Sequence, residues 1–509
     1  MLTTKPNKMK NTIKDYLLSF ALCFAFLGVL ACSSEKEDPN PISIKTVVSS
    51  INKIDFESKE TTVEITINSN ATNWTLSNPA SWIKLSQAVG TSGSTIVKIT
   101  ASENVDTAVR NAVLKLTSTE GNASEITVSQ AAGAAAGLYP SYNTNPIVAD
   151  ASGMGSSAVE LAAKIKLGWN IGNTLEATGG EIAWGNPKVT KELIDAVKAK
   201  GFNAIRIPCS WNQNLENAST AKIKTEWLNR VKEVVQYCVD NDMYVLVNIH
   251  WDGGWLENNI TEAKKVENNA KQKAFWEQIA THLRGFDEHL LFASANEPAV
   301  EDAAQMAVLT SYHQTFIDAV RSTGGKNASR VLVVQGPTTD IEKTNKLMTT
   351  LPLDKVTGRM MVEVHYYSPW NFAGLTKDET WGKMFYYWGN GFHSTTDTER
   401  NATWGEEADL EKNFKLMKTQ FVDKGIPVLL GEFGAIRRTT LTGDALTLHL
   451  NSRAYYLKTV VKTAKANGLL PFYWDEGSIG NNGFGIFNRS NNTVFDTKAL
   501  NALIEGLQQ

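Results

Sequence analysis

Cysteine is scarce in this chain, with four among 509 residues, no CxxC pair and no Cys/His cluster at metal-ligand spacing. That excludes a disulfide-built scaffold and a structural zinc site as organising principles. No GxGxxG turn and no GxxxxGK[ST] loop occurs, so the common phosphate cradles are missing as well. Charge of one sign is also lacking: 50 Lys and Arg against 53 Asp and Glu give a formal net charge of −3. Nucleic acid and acidic lipid are therefore poor candidates for the main partner. The apolar stretch 16–31 falls short of the about 20 residues that a membrane span requires. With 42% hydrophobic and 20% charged residues, the composition is that of a globular chain. More informative are the aromatics, because 12 of the 14 Trp lie beyond residue 140. They suit a large core and equally a surface that stacks on flat apolar faces such as sugar rings.

The first segment reads as an address. Lys5, Lys8, Lys10 and Lys14 precede the apolar stretch, which ends in small residues before Cys32. VLAC resembles a bacterial lipoprotein processing site, which implies cleavage before Cys32 and acylation of its thiol. The following SSEKED resembles the sorting signal of surface lipoproteins in Bacteroides-like bacteria, implying a cell-surface anchor in the outer membrane. An ordinary secretory signal is the other reading. Residues 1–31 are thus a leader, and 32–50, rich in Ser, Pro and Asn, a tether. Cys209 and Cys238 fall in segments with core patterning and read as buried free thiols, a disulfide between them being the alternative.

From 51 to 130 apolar residues fall at every second position in short runs: 61–67, 73–76, 94–100, 110–118 and 123–130. NSN, SNP, VGTSG and EGN read as the turns between them. The pattern predicts an antiparallel β-sandwich with Trp74 and Trp82 in its core. SWIKLS, the following SG-x-T-x-V-x-I-x-A and the terminal V-x-Q-A resemble the BACON domain, which implies an immunoglobulin-like module acting as a spacer or as a carbohydrate binder. Residues 131–154 read as a linker.

Between 155 and 509 strand-like and helix-like segments alternate. The strand candidates are 166–172, 202–208, 243–250, 289–298, 330–336, 360–367, 426–434 and 469–477. Amphipathic segments at 189–201, 226–242, 269–285, 302–325, 409–425, 451–468 and 497–507 supply helices. Eight strands at this spacing predict an α/β fold of the (β/α)8 TIM-barrel type.

Each predicted strand ends in residues that are costly to place there for stability alone. Arg206 ends the second, His250 the third, Asn296 and Glu297 the fourth, His365 and Tyr367 the sixth, Glu432 the seventh and Trp474 the eighth. These ends converge at the barrel mouth, where the fold collects functional groups. Two carboxylates approaching one space suit acid/base work on an acetal, one protonating the leaving oxygen while the other attacks or stabilises the anomeric carbon. Glu297 is expected to keep its proton, with a pKa raised toward ~6–7. Glu432 is expected to stay ionised if Arg206 and Tyr367 donate to it. Asn296 suits the 2-hydroxyl of the attacked sugar. Glu363 shares the His365 face as an inner network member, and Asp252, Asp475 and Glu476 are competing acids, Asp475 and Glu476 as binders of sugar hydroxyls. His250 and His365 have no HExxH spacing and no evident third ligand, so no metal is expected.

LGWNIGNTLEA, AWGNP, GFNAIRIPCSW, VLVNIHWDGGW, ANEP, VHYYSPW, LLGEFG and FYWDEG, in this order, resemble glycoside hydrolase family 5. The likeness is to its endo-β-1,4-glucanase branch, which includes xyloglucan and mixed-linkage glucan enzymes. It implies a retaining reaction without cofactor, with Glu297 as acid/base and Glu432 as nucleophile. Arg206, His250, Asn296, His365, Tyr367 and Trp474 complete the site, with Asn173 and Asp475 beside the substrate. Trp251 stands where close relatives often carry a second histidine. Residues 368–408 form a long aromatic-rich insertion, and Trp184, Trp211, Trp255 and Trp370 are placed to line subsites. The main reading is a cellulase that cuts plant cell-wall glucans internally. Action on xyloglucan, mixed-linkage glucan or mannan, and a non-catalytic glycan-binding surface lipoprotein, are the alternatives. Monomer is the default.

Overall fold

The computed structural model describes residues 45–104, 106, 108–132 and 137–508. The expected leader, Cys32 and most of the tether lie outside them. The chain divides into two compact units, residues 1–135 and 136–509.

Among the described residues of the N-terminal unit seven strands make one mixed sheet: β1 (Val47–Ser49), β2 (Lys53–Phe56), β3 (Thr61–Ser77), β4 (Ile83–Leu85), β5 (Val89–Ala101), β6 (Arg110–Ser118) and β7 (Ala123–Gln130). Their order is β2-β7-β6-β3-β5-β4, with β1 also on β3. All pairs are antiparallel except β2 with β7, which correct the antiparallel expectation. These two strands lie at opposite ends of the unit, so no hairpin dictates their direction. NSN and VGTSG, predicted as turns, lie inside β3 and β5. A register shift between Ser69 and Asn73 carries β3 past the polar stretch. Gly90 is there for contact, since a Cβ on it would stand 2.3 Å from the Trp74 indole. Trp74 is buried as expected, whereas Trp82 is only partly covered, with the Arg110 guanidinium 4.6 Å from its ring.

The second unit is a closed barrel of eight parallel strands. In chain order these are Gly168–Ile171, Ala204–Ile207, Tyr244–Asn248, Leu290–Ala293, Leu332–Gln335, Met360–Tyr366, Val428–Phe433 and Leu469–Asp475, hereafter strands one to eight of the barrel. Each lies within a predicted segment, and strand eight pairs with strand one to close the ring. Helices alternate with them, among them Thr225–Val239, Glu262–Leu283, Ala303–Ser322 and Gly443–Ala466. Two run longer than predicted at their starts: the first turns of Glu262–Leu283 are too polar to carry a 3.6-residue apolar period, and those of Gly443–Ala466 carry Leu446, Leu448 and Leu450 at every second position, which breaks that period.

The barrel interior has an apolar floor and a polar mouth. Leu246, Leu291, Val333, Met361 and Leu429 fill the floor together with Leu161 of the short helix Ala158–Lys164. That helix opens on a reciprocal capping box between Ser157 and Glu160. Two residues beyond the floor on the same strand faces stand Arg206 (after Ala204) and Glu363 (after Met361), as the two-residue period dictates. Strand seven departs from the period. A register shift leaves Gly431 unpaired, and Glu432 rather than Gly431 lies opposite His365. This bulge turns Glu432 to the mouth.

In the insertion 368–408, Phe372, Phe385 and Trp388 are buried in the main core of the barrel unit, Phe372 and Trp388 against Tyr456, and Tyr387 is buried too; the Trp388 indole N–H donates to the Gly405 carbonyl at 2.8 Å. Trp370, Trp381 and Trp404 stay about half exposed. Among the described residues no helix is long and apolar enough to cross a membrane.

Candidate active site

Arg206 is wholly buried at the centre of the mouth. Its Nη1 donates to Glu432 Oε1 at 2.8 Å and to Asn170 Oδ1 at 2.9 Å, its Nη2 to Asn296 Oδ1 at 2.7 Å, and its Nε lies 2.9 Å from Glu363 Oε1. The planar fork therefore fixes four side chains, as a lysine ammonium could not. Tyr367 donates its hydroxyl to the other Glu432 oxygen at 3.0 Å. His365 bridges two more carboxylates, with Nδ1 2.7 Å from Glu297 Oε1 and Nε2 3.2 Å from Glu363 Oε1. Oxygen atoms of Glu297 and Glu432 and a nitrogen of His365 all lie within 4.8 Å of one another.

Three carboxylates around two cations decide the protonation of the site. Burial alone would strip His365 of its proton, but Glu432, Glu297 and Glu363 outweigh it and lift its pKa to about 10. Glu297 is pushed up by burial yet ends below its ordinary value, because the His365 hydrogen bond and charge prevail. Glu432 moves the other way: burial raises it, and the charges of His365 and Arg206 offset only part of this. The expectation that Glu297 is the raised carboxyl thus fails for this arrangement, its cause being the imidazolium beside it. Three such donors at this spacing could in geometry hold a cation. However, both His365 nitrogens are already engaged with carboxylates, and a protonated imidazole is no ligand.

His250 is held neutral by burial and by the charges of Arg206 and His365, and it stacks on Trp474 with ring centroids 5.8 Å apart. Trp474 is partly exposed, as a platform must be. Trp184 and Trp370 are 44% and 47% exposed, so both present a free face to solvent. Trp255 is partly buried, its N–H on Asp252 at 2.9 Å and its ring against Phe275. Asn173 sits at a left-handed φ of 56°, with Glu176 accepting from its backbone N–H.

Two expected contacts are corrected. Trp211 is wholly buried, its indole N–H donating to the Asn248 carbonyl at 2.9 Å, so it is a core residue and lines no subsite. Asp475 is buried too and spent on Trp169 Nε1 at 3.1 Å, the Ile486 N–H at 2.8 Å and Arg489 at 3.0 Å, leaving nothing for a sugar hydroxyl. Asp252 and Glu476 likewise brace loops, through the backbone N–H of Asn212 and of Phe484. Cys209 and Cys238 are buried free thiols.

Sequence reading missed several members. Asn170 accepts from Arg206 and donates to the Gly431 carbonyl at 2.8 Å. Gln335 donates to Glu363 at 2.5 Å and accepts from the Ala295 N–H at 2.8 Å. Glu257 accepts from the Glu297 N–H at 2.9 Å, and burial raises its pKa to about 7. Asn170 and Gln335 stand at the polar ends of barrel strands and were open to discovery there; Glu257 lies in a loop with no motif around it. A cavity of about 520 Å³ opens beside His365 and Tyr367, lined further by Asp340, Trp370, Trp404, Asp409 and Lys412.

A pair of carboxylates facing each other over a parallel barrel, with aromatic rings at the rim, defines a glycoside hydrolase. Residues 170–480 match the family model Cellulase (glycosyl hydrolase family 5), and residues 72–131 match the BACON model. The chain is 34% identical over 507 residues to the xyloglucan-specific endo-beta-1,4-glucanase BoGH5A of Bacteroides ovatus, 96% of each chain being covered. A solved Bacteroides ovatus GH5 xyloglucanase in complex with a XXXG heptasaccharide superimposes with a TM-score of 0.67 at 32% identity, covering 92% of this chain and 100% of that one. A GH5-4 broad specificity endoglucanase of Clostridium cellulovorans gives 0.60 at 30% identity, covering 72% and 99%. The chain belongs to glycosyl hydrolase family 5 and carries a BACON domain before its catalytic barrel.

Proposed function

We propose that the protein is a retaining, endo-acting β-1,4-glucanase whose preferred substrate is xyloglucan. The observation that carries the reading is the carboxylate pair, whose oxygens lie within 4.8 Å, close to the about 5–5.5 Å of a double displacement and well short of the spacing that admits a water for inversion. Glu432, held by Arg206 and Tyr367 through one oxygen each, attacks the anomeric carbon. Glu297 protonates the departing oxygen and then takes a proton from the water that releases the glycosyl-enzyme. Its side chain is 41% exposed, so a sugar seated over it removes the remaining solvent and favours the return of a proton from His365. Asn296 holds the 2-hydroxyl, Trp474 carries the sugar under attack, and Asn173, Trp184, Trp255 and Trp370 line the cleft. The chemistry needs no cofactor.

Plain cellulose, first in the sequence reading, gives way to branched glucan. In support stand the xyloglucan-specific relative matched over nearly the whole length and the cavity beside His365, whose paired Trp and polar rim leave room for side sugars. We further read residues 51–130 as an immunoglobulin-like sandwich acting as a spacer, 131–154 as a linker and 155–509 as the catalytic domain. Residues 1–31 would be a cleaved leader, and Cys32 the acylated anchor to the outer membrane.

The test is hydrolysis of xyloglucan, barley glucan, carboxymethyl cellulose, glucomannan and xylan, with product sizes and anomeric configuration followed from the first turnovers. Internal cuts with retained configuration, fastest on xyloglucan, are expected, and Glu432→Gln should abolish them. No cleavage, or inversion, overturns the enzyme reading; faster cleavage of an undecorated glucan overturns the substrate. Labelling with a lipid precursor that marks the Cys32→Ser form equally would remove the anchor.

A further inference from the structure

Glu257 touches no reacting atom, yet it holds the segment that carries one. It lies between the turn Asp252–Gly254 and the helix Glu262–Leu283, and it is buried. Its Oε1 accepts from the backbone N–H of Glu297 at 2.9 Å and from that of Trp251 at 3.2 Å. Its own carbonyl accepts from the Ala299 N–H at 2.9 Å, and the Asn296 side chain donates toward its carboxylate. One residue after strand three therefore grips positions 296, 297 and 299 after strand four.

The loop on the other side of this grip is strained. Trp251, Asp252, Gly253 and Gly254 follow one another at φ of 35°, 51°, 74° and 71°. Such a run persists only where its surroundings determine it. Asp252 supplies one restraint through the Asn212 N–H, and Glu257 supplies the other through the Trp251 N–H. The peptide N–H groups of the exposed Trp251 and of Glu297 thus share the same carboxylate oxygen.

Resting on the acid/base role of Glu297, we infer that Glu257 is a positioning residue for the acid: its Oε1 sets the Glu297 peptide and so the direction in which that side chain offers its proton. The direction of a side chain follows from its peptide plane, and a misplacement of about 1 Å at a reacting group costs on the order of 100-fold in rate. The loss should fall on the protonation of the leaving group and spare steps that need none.

The experiment compares the full chain with Glu257→Ala, Glu257→Gln and Glu297→Gln on two aryl β-cellobiosides. One carries a 2,4-dinitrophenyl leaving group, which departs without protonation, and the other a 4-methylphenyl group, which does not. For Glu257→Ala, kcat/KM on the methylphenyl glycoside is expected to fall about 100-fold while that on the dinitrophenyl glycoside changes less than about 3-fold. Glu257→Gln keeps a carbonyl oxygen for both N–H groups and should restore most of the loss. An equal loss on both substrates, or no loss on either, overturns the inference. If the alanine form does not fold, Glu257→Asp, which withdraws the oxygen by one methylene, is read in the same way. Glu297→Gln separates the two readings: if it fails to discriminate between the leaving groups, the acid/base assignment itself is wrong. If it discriminates and the Glu257 variants do not, only the positioning role is lost.

Discussion

His365 shows how single residues set the behaviour of this site. Its pKa is raised from 6.5 to about 10 by carboxylates that overcome burial. The folded chain therefore binds that proton more tightly than the unfolded chain does. The resulting stability is complete below about pH 6.5 and drains away as pH climbs toward 10. Melting temperature should fall between pH 7.5 and 9.5, and His365→Asn should flatten the fall; a wild-type curve that is level over this range would contradict it. The rim aromatics separate by the same kind of argument. Trp211→Phe leaves the Asn248 carbonyl without its donor and a gap in the core, so it should lower stability by about 1–3 kcal/mol with KM unchanged. Trp184→Ala should raise KM for polysaccharide several-fold and leave the melting temperature alone, since that ring already faces solvent. Position after a barrel strand could not distinguish these two tryptophans, because each lies in the loop that follows one of the first two strands. What differs is whether the loop folds back over the ring, and no local pattern records that.

At the scale of elements the barrel was legible and its irregularity was not. Parallel strands covered on both faces read as short apolar runs, and all eight were found. Arg206, Glu363, His365 and Tyr367 follow from alternation alone once their strands are placed. Glu432 does not, because strict alternation from Leu429 would put Gly431 in the mouth and Glu432 against the helices. The bulge brings Glu432 to the mouth as well, on the same side as Gly431, and its requirement for glycine is visible only in three dimensions: a Cβ on Gly431 would stand 2.0 Å from Glu363 Oε1. Gly431→Ala should displace Glu363 from Arg206 and His365 and lower kcat by at least about 10-fold in a folded protein, as measured on xyloglucan. An alanine form of normal kcat would mean that the strand can yield there. In the N-terminal unit the short strands β1, β2 and β4 escaped notice because three or four residues hold too little alternation to register. The polar stretches inside β3 and β5 imitated turns.

Across the whole molecule the two units use their tryptophans differently, one burying Trp74 within a sheet and the other leaving several at a rim. The separate characters of the two units were plain from the change of period near residue 131, while the parallel pair joining the ends of the first was not. The mouth of the second unit holds two cations, Arg206 and His365, against three carboxylates, Glu297, Glu363 and Glu432, and so keeps one negative charge in excess. The chain as a whole is also slightly negative. Uncharged glucan should therefore be degraded at a pace indifferent to ionic strength. Carboxymethylated cellulose meets repulsion that counterions screen, within about 10 Å at 0.1 M, and its turnover should quicken as sodium chloride is added.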